Sequence, residues 1–463
     1  MCIETLLEGS IVNEHQKNLA LMVEKHRELI FAAERYIWAH PETGYREWMT
    51  DAYLSEAFEK LGYTLVKAGN IPGFYTDIDT GIPGPKVLIL GELDALYCEN
   101  HPESVDGVVH ACGHNAQCAA LLGVAAALKE EGALDGLCGS VRLMAVPAEE
   151  LLEIEYRQKL KEQGIIKYLG GKVEFMHRGF FDGCDIAFML HTTGTTEIPF
   201  SGLSGNNGCI AKKITYKGKA AHAGGSPHMG INALYAANLG INAANALRET
   251  FIDEEHVRFH PIITKGGDVV NTIPDECTVE SFLRGKTIDS IKRNNEKINR
   301  ALAGAALSMG AQVHLEDISG YAPLINDPVL LDCAEKVMID IVGKDCVRIN
   351  RGATSKGSTD MGDVSCVMPA IHPYAAGAVG LGHGANYFIR DPEKACVNAA
   401  KFYILMVYEL LKDNGEQAKD ILAKHDYLYP SIRAYLEETD RLNMSKDAVI
   451  YGEDGKITVD YKN

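Results

Sequence analysis

The chain has 463 residues, of which 46% are hydrophobic and 23% charged, and its formal net charge is −18 at pH 7. This composition excludes a disordered chain, and the length predicts two or three domains. The acidity argues against nucleic acid and anionic membranes as partners, and we interpret it as a charge that favours solubility. No apolar run approaches the roughly 20 residues that a membrane-spanning helix needs.

The N-terminus and the cysteines together predict a cytoplasmic protein. Residues 1–4 contain no basic segment and already include an acidic residue, which is atypical of a secretory signal. The twelve cysteines are scattered through the chain, with neither a C-x-x-C pair nor a zinc-finger spacing among them. We therefore expect most of them to be buried free thiols in a reducing compartment.

The first two hundred residues alternate helical and strand patterns, which is typical of an α/β core. Apolar residues that recur every three and four positions predict helix from about 16 to 61, interrupted by a turn at 41–44. Continuous apolar runs predict strands of a mostly parallel sheet that is covered on both faces. The elements that follow are strands at 73–78 and 86–90, a buried helix at 115–129, a strand at 140–146, a helix at 153–167 and a strand at 185–190.

A bridge rich in glycine and asparagine, at 202–208, separates this core from a second pattern. The order that follows is β-α-β-β-α-β, which predicts a ferredoxin-like domain inserted into the larger one. Its elements are a strand at 209–216, a helix at 230–250, strands at 257–264 and 277–283, a helix at 287–309 and a strand at 312–318.

The chain then returns to the larger domain, with a helix at 328–342, a glycine-rich region and further helices. We expect the last forty residues to form an additional surface segment. The predicted division is a larger domain of residues 1–203 and 321–463, with residues 204–320 inserted into it.

Groups that bind divalent metal ions stand where apolar runs stop. Cys112 and His114 are one residue apart at a predicted strand-to-helix turn, and Glu149 and Glu150 follow the strand at 140–146. Thiolate, imidazole and carboxylate are all ligands of zinc-like cations. Taken alone, however, such a C-x-H pair is more often a buried cysteine beside a structural histidine, and adjacent glutamates are more often solvated.

A metal-binding role for these residues is favoured because they share one edge of the predicted sheet. His191 also ends a strand, and ligands of open α/β sheets gather outside the carboxyl ends of the strands. Burying two uncompensated carboxylates after a strand would cost several kcal/mol of free energy, and a metal ion would remove that cost for one of them. The other would be free to accept a proton from water. This combination predicts a metal-dependent hydrolase.

Two further histidines lie in glycine-rich segments. His383 stands between Gly382 and Gly384, whose flexibility allows close approach to a bound ion. His222 belongs to the inserted domain, so it would reach a site in the core only by domain closure or from a second subunit. Taken alone, each is equally an ordinary loop or surface histidine.

Five motifs, in this order, closely resemble the di-metal aminoacylase/carboxypeptidase family, peptidase family M20. Within it the resemblance is to the amidohydrolase branch, which includes auxin-conjugate hydrolases and aminobenzoyl-glutamate hydrolases, and it runs from about residue 30 to 410. Asn115 and Gln117 depart from the Asp and His that are more usual in the branch. The motifs are GELDAL at 91–96, HACGHN at 110–115, PAEE at 147–150, AHA at 221–223 and GSTD at 357–360.

The resemblance implies two divalent metal ions per subunit, manganese or zinc. Cys112 would bridge them, His114 and Glu150 would bind one of them, and His191 and His383 would complete the ligand set. The substrate it implies is an N-acyl or N-aroyl amino acid, similar to aminobenzoyl-glutamate, or a small dipeptide.

The resemblance also implies roles for groups that do not bind metal. Glu149 would act as general base and then as general acid, and Asp94 would orient the ligands. His222 of one subunit would stabilise the tetrahedral intermediate in the other, which implies a homodimer through an inserted dimerisation and lid domain. Asn271 and Arg284 would contact the substrate, although an arginine after a strand is equally often part of an ordinary ion pair.

Two other functions fit parts of the pattern. Cys112 could be a nucleophile with His114 as its base, but residues one apart on a tight turn rarely face each other. That interpretation also leaves the glutamates and the other histidines unexplained. A non-catalytic small-molecule binding protein on the same fold would be favoured by the loss of Glu149 or of a ligand, and all of these residues are present.

Overall fold

A computed structural model describes residues 13–462 of the chain. The prediction made for residues 1–4 lies outside this range. Within it, none of the helices combines the length and the apolar character that crossing a membrane requires. The chain divides into two compact units. Of the described residues, the first comprises 13–205, 325–354 and 363–430, and the second comprises 206–324, 355–362 and 431–462.

Helices and strands alternate along the chain, so the architecture is mixed α/β, as predicted. The α-helices of the described range are α1 (Glu14–Lys25), α2 (Arg27–Ala39), α3 (Trp48–Lys60), α4 (His114–Ala127), α5 (Ile154–Glu162), α6 (Gly171–His177), α7 (Ala233–Ala246), α8 (Ile288–Met309), α9 (Pro328–Val342), α10 (Met361–Ser365), α11 (Asn398–Leu411), α12 (Glu416–Lys424) and α13 (Ile432–Leu442).

The strands are shorter on average than the helices. They are β1 (Val66–Lys67), β2 (Phe74–Asp79), β3 (Lys86–Glu92), β4 (Leu96–Tyr97), β5 (Val108–Val109), β6 (Ser140–Val146), β7 (Ile186–Phe188), β8 (His191–Thr193), β9 (Phe200–Asn206), β10 (Gly208–Lys217), β11 (Arg258–Phe259), β12 (Ile262–Lys265), β13 (Glu276–Gly285), β14 (Gln312–Tyr321), β15 (Leu324–Ile325), β16 (Val347–Ser355), β17 (Ala370–Ile371), β18 (Tyr374–Ala376), β19 (Ala378–Val379), β20 (Phe388–Ile389), β21 (Met444–Tyr451) and β22 (Ile457–Val459).

The main sheet of the first unit has the strand order β1-β2-β6-β3-β7-β17. Its four strands β6, β3, β7 and β17 are parallel, and β1 and β2 add an antiparallel edge. The inner strands are apolar throughout because helices cover both faces of such a sheet. Helix α4 is buried along its whole length and contributes to this core, as the run of alanine and leucine predicts.

The parallel register brings the polar residues after the strands to one edge. Glu92 and Val146 are partners at the carboxyl ends of β3 and β6. The backbone N–H of Leu93 then donates to the carbonyl of Val146 at 3.0 Å, so the two chain segments leave the sheet side by side. The segments that carry Asp94 and the two glutamates therefore begin as neighbours.

The second unit contains an antiparallel sheet of order β11-β13-β10-β14-β21-β22, and β12 also pairs with β13. Helices α7 and α8 contribute apolar side chains to its core. The single strand predicted at 257–264 is two short strands, β11 and β12, because Pro261 stands between them and has no N–H for the ladder.

The C-terminal residues differ from the sequence-based division, which groups them with the larger domain as a surface segment. From Ser431 onward they belong to the second unit. Strand β21 pairs with β14 along five residue positions and β22 extends the sheet further. Without this hairpin β14 would be an unpaired edge, so the last residues complete the sheet.

Candidate metal centre

Potential metal-binding atoms cluster at the carboxyl edge of the main sheet. In the described residues, three groups of side chains place their ligand atoms within 4.8 Å of one another, and Cys112 belongs to two of them. One thiolate shared between two groups is the arrangement that two neighbouring cations would need. The groups are Cys112, His114 and His191; Cys112, Glu150 and His383; and Glu92, His114 and Glu149.

The first unit therefore brings together all five residues predicted as ligands, with Glu149 and Asp94 beside them. The grouping differs in one respect from the predicted one. The sequence-based assignment puts His114 and Glu150 on the same ion, whereas the structure groups His114 with His191 and Glu150 with His383.

Cys112 contacts His191 within the cluster. The thiol Sγ lies 3.2 Å from His191 Nε2, while His191 Nδ1 is 2.8 Å from the carbonyl oxygen of Thr192 and donates to it. Burial and Glu150 raise the pKa of Cys112, but His191 and His114 outweigh them and lower it to about 6. A thiol of this pKa is ionised at neutral pH, and the thiolate is the form that binds metal.

His114 is oriented by Asp94. His114 is the first residue of α4, after Gly113 at φ 85°, where an added Cβ would lie 2.5 Å from Tyr387 Oη. Its Nδ1 donates to the Asp94 carbonyl at 2.8 Å and faces Asp94 Oδ1 at 3.1 Å. Asp94 Oδ2 in turn accepts the backbone N–H of Glu150 at 2.7 Å. One carboxylate thus fixes the ring of one predicted ligand and the backbone of another, as carboxylates around metal sites commonly do.

The loop that carries the glutamate pair is strained and held by buried polar side chains. Ala148 has φ 57°, a left-handed conformation that costs a non-glycine residue about 1–3 kcal/mol. Its N–H donates to Glu47 Oε1 at 2.8 Å, and the buried Arg157 donates to the carbonyls of Ala148 and Glu150. These contacts fix the backbone on both sides of Glu149, and sequence reasoning identified neither Glu47 nor Arg157.

Glu92 and Lys172 form a second feature that sequence reasoning missed. Both side chains are fully buried, and Lys172 Nζ lies 2.5 Å from Glu92 Oε1. Burial raises the pKa of Glu92, but Lys172 and His114 outweigh it and hold the pKa well below its usual range. Glu92 belongs to a motif and ends a strand, so its place was detectable, whereas Lys172 follows two glycines with no pattern that marks it.

Some buried atoms of this cluster lack a hydrogen-bond partner among the described residues. They include His114 Nε2 and Glu92 Oε2, which lie 3.1 Å apart outside hydrogen-bond geometry. Such orphaned buried groups are rare because each costs about 1–3 kcal/mol. His383 faces the same region, with Nε2 3.0 Å from Glu150 Oε1 and its backbone N–H bonded to Ala111. A set of thiolate, imidazole and carboxylate donors with unsatisfied atoms fits divalent cations.

His222 and Asn271 lie in the second unit, and both are exposed. His222 Nδ1 accepts the backbone N–H groups of Gly224 at 3.1 Å and Gly225 at 2.9 Å. The neutral ring therefore carries its proton on Nε2, which can act as a hydrogen-bond donor. The carbonyl of Asn271 accepts the N–H of Ala223 at 2.9 Å, which ties the two predicted residues to the same local structure.

Arg284 is the penultimate residue of β13 in the second unit. Its Nη1 donates to Ser358 Oγ at 2.8 Å and its Nε donates to His260 Nε2 at 3.3 Å. Among residues 13–462, no carboxylate lies within ion-pair distance of this guanidinium, so the ordinary ion pair considered from the sequence is not found there. Its remaining donors can serve a bound anion.

Comparison with known proteins extends the geometric result. Residues 88–409, well over half of the chain, match the model of peptidase family M20/M25/M40. Human Xaa-Arg dipeptidase is 28% identical over 427 residues, which is 88% of this chain and 88% of that protein. The N-acetyl-L-cysteine deacetylase of Bacillus subtilis is 28% identical over 334 residues, which is 68% of this chain and 74% of that protein.

A shorter match is to one of the polypeptides of the p-aminobenzoyl-glutamate hydrolase of Escherichia coli K12. It is 29% identical over 282 residues, which is 58% of this chain and 54% of that polypeptide. The names of these relatives all describe hydrolysis of an amide or peptide bond in a small molecule.

A solved structure shares the fold. The Bacillus subtilis YXEP protein, described as a dinuclear metal-binding peptidase of the M20 family, superposes with a TM-score of 0.60 at 21% identity. The match covers 84% of this chain and 99% of that one. The chain belongs to peptidase family M20/M25/M40 and is an enzyme of that family, whose members hydrolyse amide and peptide bonds.

Proposed function

We propose that the protein is a di-metal amidohydrolase that cleaves the amide bond of an N-acyl or N-aroyl amino acid, similar to aminobenzoyl-glutamate, or of a small dipeptide. The observation that carries this proposal is the pair of ligand groups that share Cys112. The names of the relatives agree with it, since one is a dipeptidase and another is part of a p-aminobenzoyl-glutamate hydrolase.

Cys112 would bridge two cations, with His114 and His191 completing one ligand group and Glu150 and His383 the other. The thiolate suits zinc, whereas imidazole and carboxylate also admit manganese. When bound, such cations polarise the scissile carbonyl and lower the pKa of water beside it.

Glu149 would carry the proton in this reaction. Its Oε2 lies 3.9 Å from His114 Nε2, so the carboxylate stands at the rim of the ligand cluster without belonging to the two groups that share Cys112. It would take a proton from the attacking water and then deliver it to the leaving amine. The strained and tightly held loop around it would keep this carboxylate in position.

The metal requirement is the first test of the proposal. We expect purified protein to contain about two manganese or zinc ions per subunit, because two ligand groups share Cys112. Chelation should abolish hydrolysis of a panel of N-acyl and N-aroyl amino acids, and added manganese or zinc should restore it. Metal content and activity before and after chelation check this, and activity that is indifferent to the chelator would contradict it.

We further propose a homodimer through the second unit, in which His222 of one subunit acts on substrate in the other. One edge of the antiparallel sheet in the second unit supports this proposal. Strand β12 is exposed at all four residues, and its Ile262 and Ile263 are 62% and 42% exposed. Such an apolar edge strand invites pairing with a second copy across a two-fold axis.

Mixing two inactive variants tests the exchange of His222. We expect Glu149→Gln and His222→Ala to be inactive alone but to regain about a quarter of wild-type activity after subunits exchange in a 1:1 mixture. Half of the dimers would then be mixed, and each would hold one intact site. A mixture of Glu149→Gln with Glu150→Gln is the matched control, since both changes lie in the first unit, and it should stay inactive. Rescue in the control alone, or in neither mixture, would contradict the proposal.

Arg284 and Asn271 would bind the carboxylate of the substrate. The guanidinium supports this role because it keeps donors that no carboxylate of residues 13–462 occupies. A reducing, cytoplasmic location is part of the same proposal, and it is supported by the free thiol state of all described cysteines.

A hydrolase with Cys112 as nucleophile is the second candidate, and one contact favours it. The partner of the thiol is His191 at 3.2 Å, so His191 and not His114 would be its base. A thiol hydrolase would survive chelation and be inactivated by iodoacetamide in the metal-free state, so the metal experiment separates the two candidates.

A further inference from the structure

A cationic cavity lies in the second unit of this acidic protein. It has a volume of about 390 Å³, within the range of small-molecule sites. Three cationic side chains, Arg248, Arg258 and Lys356, line it together with the single carboxylate of Asp253 among the described lining residues. Arg284, the residue proposed for the substrate, is not part of the lining.

The cations of this cavity have no carboxylate partner among the residues that the structure describes. Within residues 13–462, no acidic oxygen lies within ion-pair distance of Arg248, Arg258 or Lys356. Both arginines are instead oriented by neutral groups. Arg248 donates to Asn245 Oδ1 at 3.0 Å and to the carbonyl of Phe259 at 3.0 Å, and Arg258 donates to the carbonyl of its neighbour at 2.8 Å. Each guanidinium keeps further N–H donors available.

The walls of the cavity are joined by a buried asparagine. Asn207 has no exposed surface, and its Nδ2 donates to the carbonyl of His256 at 3.2 Å while its backbone N–H donates to Ser355 at 3.1 Å. The segment that carries Arg258 and the residue before Lys356 are thereby held together. This side of the site is built by the fold and does not depend on chance proximity of long side chains.

An unsatisfied imidazole atom supplies a second, independent observation. His256 lines the cavity with φ 52°, and its Nδ1 is buried without a hydrogen-bond partner among the described residues. Burial lowers the pKa of His256, and Lys286, Lys356 and Arg258 lower it further. The positive field that opposes a proton on this ring would favour an anion in the same place.

We propose that this cavity binds a compact anion with at least two negative charges, in which phosphate or paired carboxylate oxygens supply the charge. Charge complementarity carries the proposal, since the chain as a whole has a net charge of −18 and yet leaves these cations without an acidic partner in the described residues. Phosphate and carboxylate are the groups that the fork of a guanidinium recognises with two hydrogen bonds. None of the lining residues belongs to the proposed metal centre, and this proposal does not rest on that centre.

Calorimetric titration of the full-length, chelator-treated protein tests this site without the metal centre. We expect inorganic phosphate or glutarate to bind once per subunit, acetate to bind much more weakly, and added salt to weaken binding. Arg258→Gln and Lys356→Gln should each weaken binding of the better probe about tenfold, as the loss of one charge-assisted hydrogen bond predicts. Arg300→Gln, which changes an exposed arginine of α8 outside the lining, is the matched control. Its affinity for the same probe should stay within about twofold of the wild-type affinity, because an exposed charge away from the site contributes little to binding.

A conservative variant distinguishes a loss of binding from a loss of folding. Arg258→Lys keeps the charge, so it should retain more affinity than Arg258→Gln at the same melting temperature. Preference for phosphate or for glutarate would identify the source of the negative charge, and either supports the site. Absence of saturable binding for both probes, or an equal loss in Arg300→Gln, would overturn the proposal.

Discussion

Replacing Glu149 by glutamine is expected to lower kcat by about 10²- to 10⁴-fold, the usual contribution of a general base. The amide keeps the size of the side chain but cannot accept the proton of water. Because Glu149 belongs to neither of the ligand groups that share Cys112, the variant should still bind about two metal ions per subunit. Steady-state hydrolysis of an N-acyl amino acid and metal analysis of the same preparation measure the two effects together.

Two variants sharpen this test. Glu155→Gln changes a 74% exposed glutamate a few residues away and should leave kcat unchanged. Glu150→Gln alters a proposed ligand, so it should lose metal as well as activity. The metal content of the two variants would then distinguish the role of Glu149 from that of Glu150. If Glu149→Gln kept full activity, or if it lost metal as Glu150→Gln does, the division of labour between the two glutamates would be wrong.

The main sheet and the ligand cluster were predictable because apolar runs end at polar residues. Strands β3 and β6 are buried on both faces, and each is followed within four residues by a carboxylate. A carboxylate beside a covered sheet costs free energy unless a partner or a metal ion compensates its charge. Parallel register then brings those carboxylates to one edge, where Cys112 and His114 arrive through the start of α4. Sequence pattern and topology together were sufficient for this step.

The charged residues that support the cluster were not predictable in the same way. Arg157 lies in a polar stretch that indicates a solvated helix, yet it is 1% exposed because it donates to the carbonyls of Ala148 and Glu150 in the strained loop. Lys172 is fully buried because Glu92 is buried too. Each of these residues has a partner that the sequence pattern does not mark, and the pairing becomes visible only once the strands are in register.

The second unit shows the same limit in its sheet. The strand that contains Lys212 was predicted, but nothing in the sequence indicates that this lysine points into the core. Asn295 and Asn299 likewise fit a predicted helix, α8, without any sign that they face a charge. The C-terminal hairpin was missed because its pairing partner, β14, lies more than a hundred residues earlier.

Neutralising Asp317 is expected to destabilise the second unit by about 3–5 kcal/mol, the cost of leaving a buried charge without its partner. Lys212 and Asp317 are 1% exposed and bonded to each other. Lys212 Nζ also donates to Asn295 and Asn299 of α8 at 2.7 Å each, and both amides donate to Asp317. In Asp317→Asn the lysine keeps its neutral partners but loses the opposite charge.

Hydrogen exchange of the α8 amides is the suitable measurement because both tryptophans, Trp38 and Trp48, lie in the first unit and report on it alone. A loss of about 3–5 kcal/mol corresponds to exchange that is at least a hundredfold faster in α8. Amides of α4, in the first unit, serve as the internal reference. Glu276→Gln, which breaks the exposed Lys265–Glu276 pair of the same sheet, should change α8 exchange little.

The pH dependence of the stability lost in Asp317→Asn tests whether the loss is caused by the unpaired charge of Lys212. Burial lowers the pKa of Lys212, and Asp317 offsets part of that effect, so the pKa should fall further in Asp317→Asn. The unfolded chain then binds the proton more readily than the folded one, and the free energy of unfolding rises with pH. The deficit should be complete below the folded-state pKa and should shrink as pH approaches about 10.4, the pKa of an unfolded lysine.

The double variant Lys212→Met, Asp317→Asn completes the cycle. It removes both charges together, so its free energy of unfolding should be within about 1–2 kcal/mol of the wild-type value and higher than that of Asp317→Asn. Its stability should also lose the pH dependence, because no buried amine is left to titrate. A double variant as unstable as the single one, with the same pH profile, would show that Asp317 holds α8 through its shape and hydrogen bonds and not through its charge.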